Sequence, residues 1–305
     1  MDVGVIGTGI MGRNHVRVYS EMKAANSVWV YDLNTNVARD VAEQNNVNYA
    51  SSMAELLRSV DAVSLCVPTP YHCNTAKEVL DAGGVHMLVE KPICLTAAEG
   101  AELLAHIPDG CVVGVGHIER FNPIIHEIKR IIKDPLYVEI NRHNPASARV
   151  TGSSVVEDLM IHDIDIVFNA LFGSDYTMSA CGSFDVCGAL FNFGETPVYL
   201  SASRKASKKI RLIRIEEEDF TIEGDFMSQE VYVYRKPEHY HQEAERYVQE
   251  NITEKVMVGK VEPLRTELQA FIDCARTGGT PFPVTPEQAV ENVRICEKIT
   301  GTMRI

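Results

Sequence analysis

Cations are scarce in this chain: 29 lysines and arginines face 42 aspartates and glutamates, a formal net charge of -13 at pH 7. A protein built to coat nucleic acid or an anionic membrane is therefore excluded, because the phosphate-neutralising excess is missing, although a local basic pocket is still allowed. Metal-binding spacing is missing too. The eight cysteines (Cys66, Cys73, Cys94, Cys111, Cys181, Cys187, Cys274 and Cys296) form no CxxC pair and no His-Cys cluster, so no metal is expected. They read as buried thiols in a reducing cytoplasm. Asp2 and a strand-like run follow Met1 at once, with no basic n-region or apolar h-region, and no segment is apolar for long enough to span a bilayer. A cytoplasmic protein, neither exported nor anchored, is the expectation. Repeats, low-complexity tracts and a disordered tail are also lacking.

What is present is enough for two domains, since 305 residues at 45% hydrophobic content supply two cores. Up to about Gly116, short β-branched runs alternate with helical stretches: Val3 to Ile6, Ser27 to Tyr31, Ala62 to Val67, Val85 to Val89 and Cys111 to Val115. Such a series implies an α/β, doubly wound parallel sheet. Beyond it come one amphipathic helix (Ile124, Ile125, Ile128, Ile131, Ile132) and strands at Tyr137 to His143, Asp185 to Phe193, Val198 to Ser203, Ile210 to Glu216 and Val231 to Tyr234. A helix is expected over Asp158 to Leu171, and closing helices over Pro263 to Ala275 and Pro286 to Ile299, each with proline in the first turn. The expected layout is a Rossmann domain over 1–118 and an α+β domain with a large, mostly antiparallel open sheet over 119–305, the last helices able to pack back on the first domain.

Gly7-Thr8-Gly9-Ile10-Met11-Gly12 follows the first strand and opens a helix. In that context the first glycine permits a tight turn, the second admits a pyrophosphate to the backbone, and the third lets helix and strand pack closely. Twenty residues past Gly12, Asp32 ends the second strand, where a carboxylate can accept both ribose hydroxyls of an adenosine and repel a 2′-phosphate. NAD is the expected cofactor; Arg13 leaves NADP open. Pro68, Thr69 and His72 leave the third candidate strand at its carboxyl end, where ligands gather in such sheets, or else form a rigid proline-rich loop.

Glu90-Lys91-Pro92 closes the Val85 to Val89 strand at the same edge. A desolvated lysine there can donate to a reacting oxygen, whereas the tripeptide by itself is usually a surface turn. In Glu157-Asp158-Leu159-Met160-Ile161-His162-Asp163-Ile164-Asp165, helical spacing puts Asp158, His162 and Asp165 on one side and Ile161, Ile164, Phe168 and Leu171 on another. A histidine poised by a carboxylate suits proton removal from an alcohol as hydride leaves; a solvated helix face is the plainer alternative. The run Arg204 to Lys209 reads as a charged loop between strands. Cys66 and Cys94 read as packing residues.

Taken together, the glycine motif with Asp32, Glu90-Lys91-Pro92, His117 to Pro123 and Asp158-x-x-x-His162 resemble, in order and spacing, the Gfo/Idh/MocA family of dehydrogenases over nearly the whole chain. Gly116 to Pro123 and Met160 to Asp165 look most like its UDP-N-acetylglucosamine 3-dehydrogenase branch; Met160 and Ser153-Ser154 depart from the glycines common elsewhere in the family. The resemblance implies a Rossmann domain that binds dinucleotide through Gly7, Gly9, Ile10, Met11, Gly12, Asp32, Pro68, Thr69, His72, Glu90 and Lys91. It implies a pocket where Lys91, Asp158 and His162 act on a sugar hydroxyl: His162 as proton acceptor, Lys91 on the same oxygen, Asp158 orienting them, or lysine as the base. Arg120, Asn122 and Arg142 are candidates for holding sugar or diphosphate oxygens. Dimers or tetramers through the second sheet are expected. The competing readings are an inositol or free-sugar dehydrogenase of the same family and, outside enzymes, a dinucleotide-sensing regulator.

Overall fold

The computed structural model describes residues 1–149, 152–173, 175–236, 240–243, 246–249, 252–278 and 280–303. The chain forms two compact units, Met1–Phe121 with Glu262–Glu297 and Asn122–Val261 with Lys298–Ile305. No helix among the described residues is long and apolar enough to cross a membrane.

The first unit is built on six parallel strands, β1 (Asp2–Ile6), β2 (Ser27–Tyr31), β3 (Asn48–Tyr49), β4 (Ala62–Leu65), β5 (His86–Glu90) and β6 (Val113–Gly116), in the order β3-β2-β1-β4-β5-β6. Helices cover both faces of such a sheet, so its central strands are buried on both sides: every residue of β4 is buried, while β2, nearer the edge, alternates. The crossovers are α1 (Ile10–Glu21), α2 (Thr35–Asn45), α3 (Met53–Ser59), α4 (His72–Ala82) and α5 (Ala97–Leu104). Side chains cap three of them, Asn34 on Val37 N, Ser52 on Glu55 N and Thr96 on Glu99 N, which satisfies donors a helix start leaves open. The doubly wound order reverses beside β1, which opens a crevice at the carboxyl ends of β1 and β4. β3 escapes sequence reading because two residues carry no period.

The second unit holds α6 (Pro123–Ile131), β7 (Tyr137–His143), α7 (Ile161–Ile166), β8 (Thr177–Gly182), β9 (Val186–Phe193), β10 (Thr196–Ser203), β11 (Ile210–Glu216), β12 (Phe220–Asp225), β13 (Glu230–Arg235), the hairpin β14 (Tyr240–Glu243) and β15 (Arg246–Gln249), and β16 (Ile252–Val256). Eight of these strands form one sheet, β16-β13-β12-β11-β7-β10-β9-β8, antiparallel except where β10 runs parallel to β7. β8, β12 and β16 were not expected; β8 and β16 are the two edges, whose mostly exposed side chains give no buried alternation, whereas β12 is an interior strand that does alternate. The helix expected over Asp158 to Leu171 is instead a π-type turn at Val156–Met160, the short α7 and a second π-type turn at Val167–Leu171. Phe168, in the second of these turns, packs edge-on against Phe191 and Phe193 with ring centroids 5.3 and 5.2 Å away.

Two further helices close the chain, α8 (Pro263–Thr277) and α9 (Pro286–Thr302). α8 and α9 through Glu297 belong to the first unit. Leu264, Leu268 and Phe271 form the buried face of α8.

Candidate active site

In the first unit the glycine turn is fixed by close approach. A Cβ on Gly12 would stand 1.9 Å from the Gly7 carbonyl oxygen, while Gly7, at φ +89, already lies against the Cys66–Val67 backbone. A Cβ on Gly9 would meet nothing within 4 Å, so this face of the turn is open for a pyrophosphate at the start of α1. Gly12→Ala should therefore push α1 off the turn and weaken dinucleotide binding by about tenfold or more, or 1.4 kcal/mol. Titration of NADH fluorescence reads this; unchanged affinity would contradict the packing argument.

Asp32 locks the turn to the end of β2. Its Oδ2 accepts from Thr8 N at 2.7 Å and Thr8 Oγ1 at 3.0 Å, and its Oδ1 from Asn34 N at 2.8 Å. Beside it is a cavity of about 360 Å³ whose lining includes Gly7, Asp32, Leu33, Tyr71, Thr75 and Glu78. Among the described residues that lining holds two carboxylates and no lysine or arginine. Arg13 does not swing over it here: its Nε donates to the Thr8 carbonyl at 3.2 Å. Ile10 is exposed and Met11 half-buried at the start of α1. These residues fit a dinucleotide: an open glycine face, a helix N-terminus and a carboxylate at the strand end.

Pro68 and Thr69 lead through a 3-10 turn into α4, whose first residue, His72, is buried. Its ring nitrogens lie 2.7 Å from the Pro92 carbonyl and 2.8 Å from the Val67 carbonyl, so the imidazole ties the loop after β4 to the loop after β5. Burial pushes this histidine below the ordinary range, and the two carbonyls push it partly back. Burial also lowers His86 and His143. Groups that hold protons less tightly folded than unfolded contribute stability that is complete above the unfolded value of 6.5 and is lost as pH falls below it. Calorimetry should thus give a lower Tm at pH 5 than at pH 7.5, and an equal or higher one would reverse the sign. The Glu90 carboxyl, held low chiefly by His15 against the opposing effect of burial, adds a loss in the same direction below 4.5.

Glu90 is the last residue of β5, one step further along than the sequence places the strand end, and Lys91, half-buried, is the first residue beyond it. The Lys91–Pro92 peptide is cis. Two buried thiols are held in the protonated form: burial pushes Cys66 up, as do Glu90 and Glu267, and raises Cys94 to about 12. The expectation of uniformly buried thiols fails at Cys181, which is exposed on an edge strand, and at Cys111, which is half-buried.

In the second unit Asp158 lies in the first π-type turn and His162 in α7, both half-buried amid buried neighbours. Asp158 Oδ2 accepts from Arg204 Nη2 at 3.3 Å. Arg204 also donates to the Ser154 carbonyl at 3.0 Å and lies over the Phe184 ring. The first residue of the run read as a charged loop is thus buried and braces a candidate site residue, whereas Lys205, Lys208 and Lys209 are exposed as that reading expects. The solvated-face alternative for the Asp158 segment also fails. Asp163 and Asp165 are buried, Asp163 paired with Arg142 and Asp165 accepting from Asn169 Nδ2 at 3.0 Å.

The oxygen-holding candidates are placed as follows. Arg142 is 1% exposed and donates through Nε and Nη2 to Asp163 Oδ1 at 2.9 and 2.7 Å, which corrects its reading as a substrate cation: the guanidinium is spent inside the second unit. Asn122 caps α6 through Ile124 N and donates to the Phe226 carbonyl at 3.0 Å. Arg120 donates to the Pro283 carbonyl at 3.0 Å within the first unit. Sequence reading missed His15, Glu267 and Arg204. Glu267 did leave a signal, being a carboxylate on the apolar stripe Leu264, Leu268, Phe271.

Comparison with known proteins agrees with this architecture. Residues 1–117 match the family model Gfo/Idh/MocA, described as an oxidoreductase family with an NAD-binding Rossmann fold. UDP-N-acetylglucosamine 3-dehydrogenase of Acidithiobacillus ferrooxidans is 31% identical over 245 residues, 77% of either chain. Inositol 2-dehydrogenase 1 of Saccharopolyspora erythraea is 32% identical over 178 residues, 54% of this chain and 52% of that one. A solved structure of the Acidithiobacillus enzyme superimposes with a TM-score of 0.86 at 27% identity, covering 99% of this chain and 97% of the other. A levoglucosan dehydrogenase solved with NADH and levoglucosan shares the fold, with a TM-score of 0.83 at 19% identity over 99% of this chain and 96% of that one. With its glycine turn, its Glu-Lys-Pro strand end and a relative of this identity over this length, the chain belongs to the Gfo/Idh/MocA family of oxidoreductases, acting on CH–OH groups with a nicotinamide dinucleotide.

Proposed function

We propose that this enzyme oxidises a secondary hydroxyl of a nucleotide sugar, UDP-N-acetylglucosamine at C3, with NAD rather than NADP. The observation that carries the substrate is the 31% identity to a UDP-N-acetylglucosamine 3-dehydrogenase over 77% of the chain, through both segments that bear Lys91, Asp158 and His162. The observation that supports NAD is the lining of the cavity at Asp32, with its two carboxylates and no cation among the described residues; a 2′-phosphate there meets repulsion.

In this reading Lys91 Nζ donates to the reacting oxygen and stabilises the charge that develops on it, an interaction stronger in the transition state than in the bound alcohol. His162 accepts the hydroxyl proton; its Nδ1 is buried, so the proton is taken at Nε2. Asp158, braced by Arg204, orients the pair. The bound dinucleotide supplies the hydride acceptor.

Mixing the protein with NAD or NADP and a panel of UDP-N-acetylglucosamine, UDP-glucose, myo-inositol and free hexoses tests this directly. Reduced-nicotinamide absorbance should rise with the UDP-N-acetyl sugar and NAD. Turnover with myo-inositol instead would shift the assignment to the activity named for the inositol dehydrogenases among its relatives.

A further inference from the structure

Strand β5 ends on a carboxylate that is only 7% exposed. Burying an ion there costs several kcal/mol unless it is paired, and the structure shows what compensates it. His15 Nε2 lies 2.9 Å from Glu90 Oε1, and the Lys91 main-chain N–H donates to Oε2 at 3.2 Å. With Glu90 ionised, the His15 contact requires Nε2–H as the donor. Room is reserved for the carboxylate: Glu90 faces Gly116 across β5 and β6, and a Cβ on Gly116 would stand 3.1 Å from Oε1 and 3.3 Å from Oε2. Glu267, from α8, completes the cluster. One ligating atom each from His15, Glu90 and Glu267 lies within 4.8 Å of the others, and His15 and Glu267 are both 0% exposed.

Placement gives the cluster its meaning. His15 stands three residues after Gly12 on α1, the helix whose N-terminus faces the pyrophosphate position, and Glu90 immediately precedes Lys91. One carboxylate therefore joins the dinucleotide helix to the main chain at the lysine.

We propose that His15 is a positioning residue for catalysis that acts through Glu90, holding its carboxylate so that it grips the Lys91 N–H and fixes where the lysine leaves β5. The inference rests on the reading of Lys91 as the group that bonds the reacting oxygen. Electrostatics agree. His15 and Lys91 both hold the Glu90 carboxyl low, with burial opposing them; the other titratable groups that feel Glu90 are Cys66, itself pushed up, and His72.

The test compares His15→Leu, which loses the donor, His15→Gln, whose amide restores one near Nε2, and Glu90→Gln, which keeps the shape and an acceptor oxygen but removes the negative charge. For His15→Leu, kcat should fall about 10- to 100-fold, the cost of a small misplacement at the reacting centre, while the NADH dissociation constant changes by less than about threefold. His15→Gln should recover most of the loss. In Lys91→Ala the His15→Leu change should have no further effect. A readout independent of turnover is acylation of Lys91 in the dinucleotide-free protein, followed by mass spectrometry against Lys77, which pairs with Glu102. In Glu90→Gln the anion beside the ammonium is gone, so Lys91 should label several-fold faster relative to Lys77. Wild-type kcat in His15→Leu, or unchanged labelling in Glu90→Gln, overturns the proposal, as does an equal further loss in the Lys91→Ala background. Should His15→Leu fail to fold, the labelling of Lys91 in Glu90→Gln decides. Wild-type turnover in Lys91→Ala alone would defeat the underlying reading instead.

Discussion

Lys91→Ala is expected to lower kcat by about a hundred- to a thousandfold while NADH affinity stays within about threefold. Lys91 is the first residue past the carboxyl end of β5, half-buried, with its main chain held by Glu90. A partly desolvated ammonium aimed at an oxygen that gains charge stabilises the transition state more than the ground state, so its loss appears in kcat. The glycine turn and Asp32, which carry the dinucleotide end, are untouched by the change. His162→Ala should cost about a hundred- to ten-thousandfold as a lost general base. Steady-state kinetics with the active sugar of the panel, beside a fluorescence titration of NADH, separates the two effects. Near wild-type turnover in Lys91→Ala would remove it from the mechanism; a large loss of NADH affinity would make it a cofactor ligand.

The largest stability effect should come from Arg142→Met. This side chain points inward from β7, at the buried position after Val138 and Ile140 in an alternating strand, because Asp163 waits there with both donor contacts on one oxygen and the Phe226 ring stacks 5.3 Å from the guanidinium. Removing the cation leaves the Asp163 carboxylate buried without the charge that balances it, a loss of about 3–5 kcal/mol. Replacing both partners together, Arg142→Met with Asp163→Leu, should recover most of that, since a packed apolar pair avoids the desolvation cost. Urea denaturation of the two variants and the parent measures both numbers. A loss under about 1 kcal/mol in the single variant would mean that the pair is solvated or replaceable.

How much of this was legible in the sequence follows from the range over which each feature is determined. The glycine turn is a local event: its three glycines answer to clashes within a dozen residues, and Asp32 follows at the end of the next strand. β2, β7 and β11 fall at the expected residues because both their length and their alternation are visible. Arg142 was misread because its partner is 21 residues away: alternation shows that it points inward, but charge alone suggests a ligand. Arg204 hid for the same reason, its partner Asp158 being 46 residues distant. The π-type turns flanking α7 change which residues share a face, and no composition signal announces them. Of the candidate site, the dinucleotide half could be read almost residue by residue, whereas the residues that hold Glu90 and Asp158 in place could not.

The first unit is not continuous in the chain: α8, with Glu267, Leu268 and Phe271, returns to it only after some 140 residues of the second unit, Asn122–Val261, have intervened. During synthesis from the N-terminus, the dinucleotide-binding unit therefore leaves the ribosome with α1 still lacking the helix that packs on it and the Glu90 carboxylate lacking its third neighbour. Domains fold as units while the chain emerges, but this one must wait for the whole of the other to be made. Nascent enzyme is thereby kept incomplete until Glu262 and the helices after it have been made, and a ribosome that stalls before Glu262 releases a chain with an open apolar flank, the kind of surface that chaperones and proteases recognise.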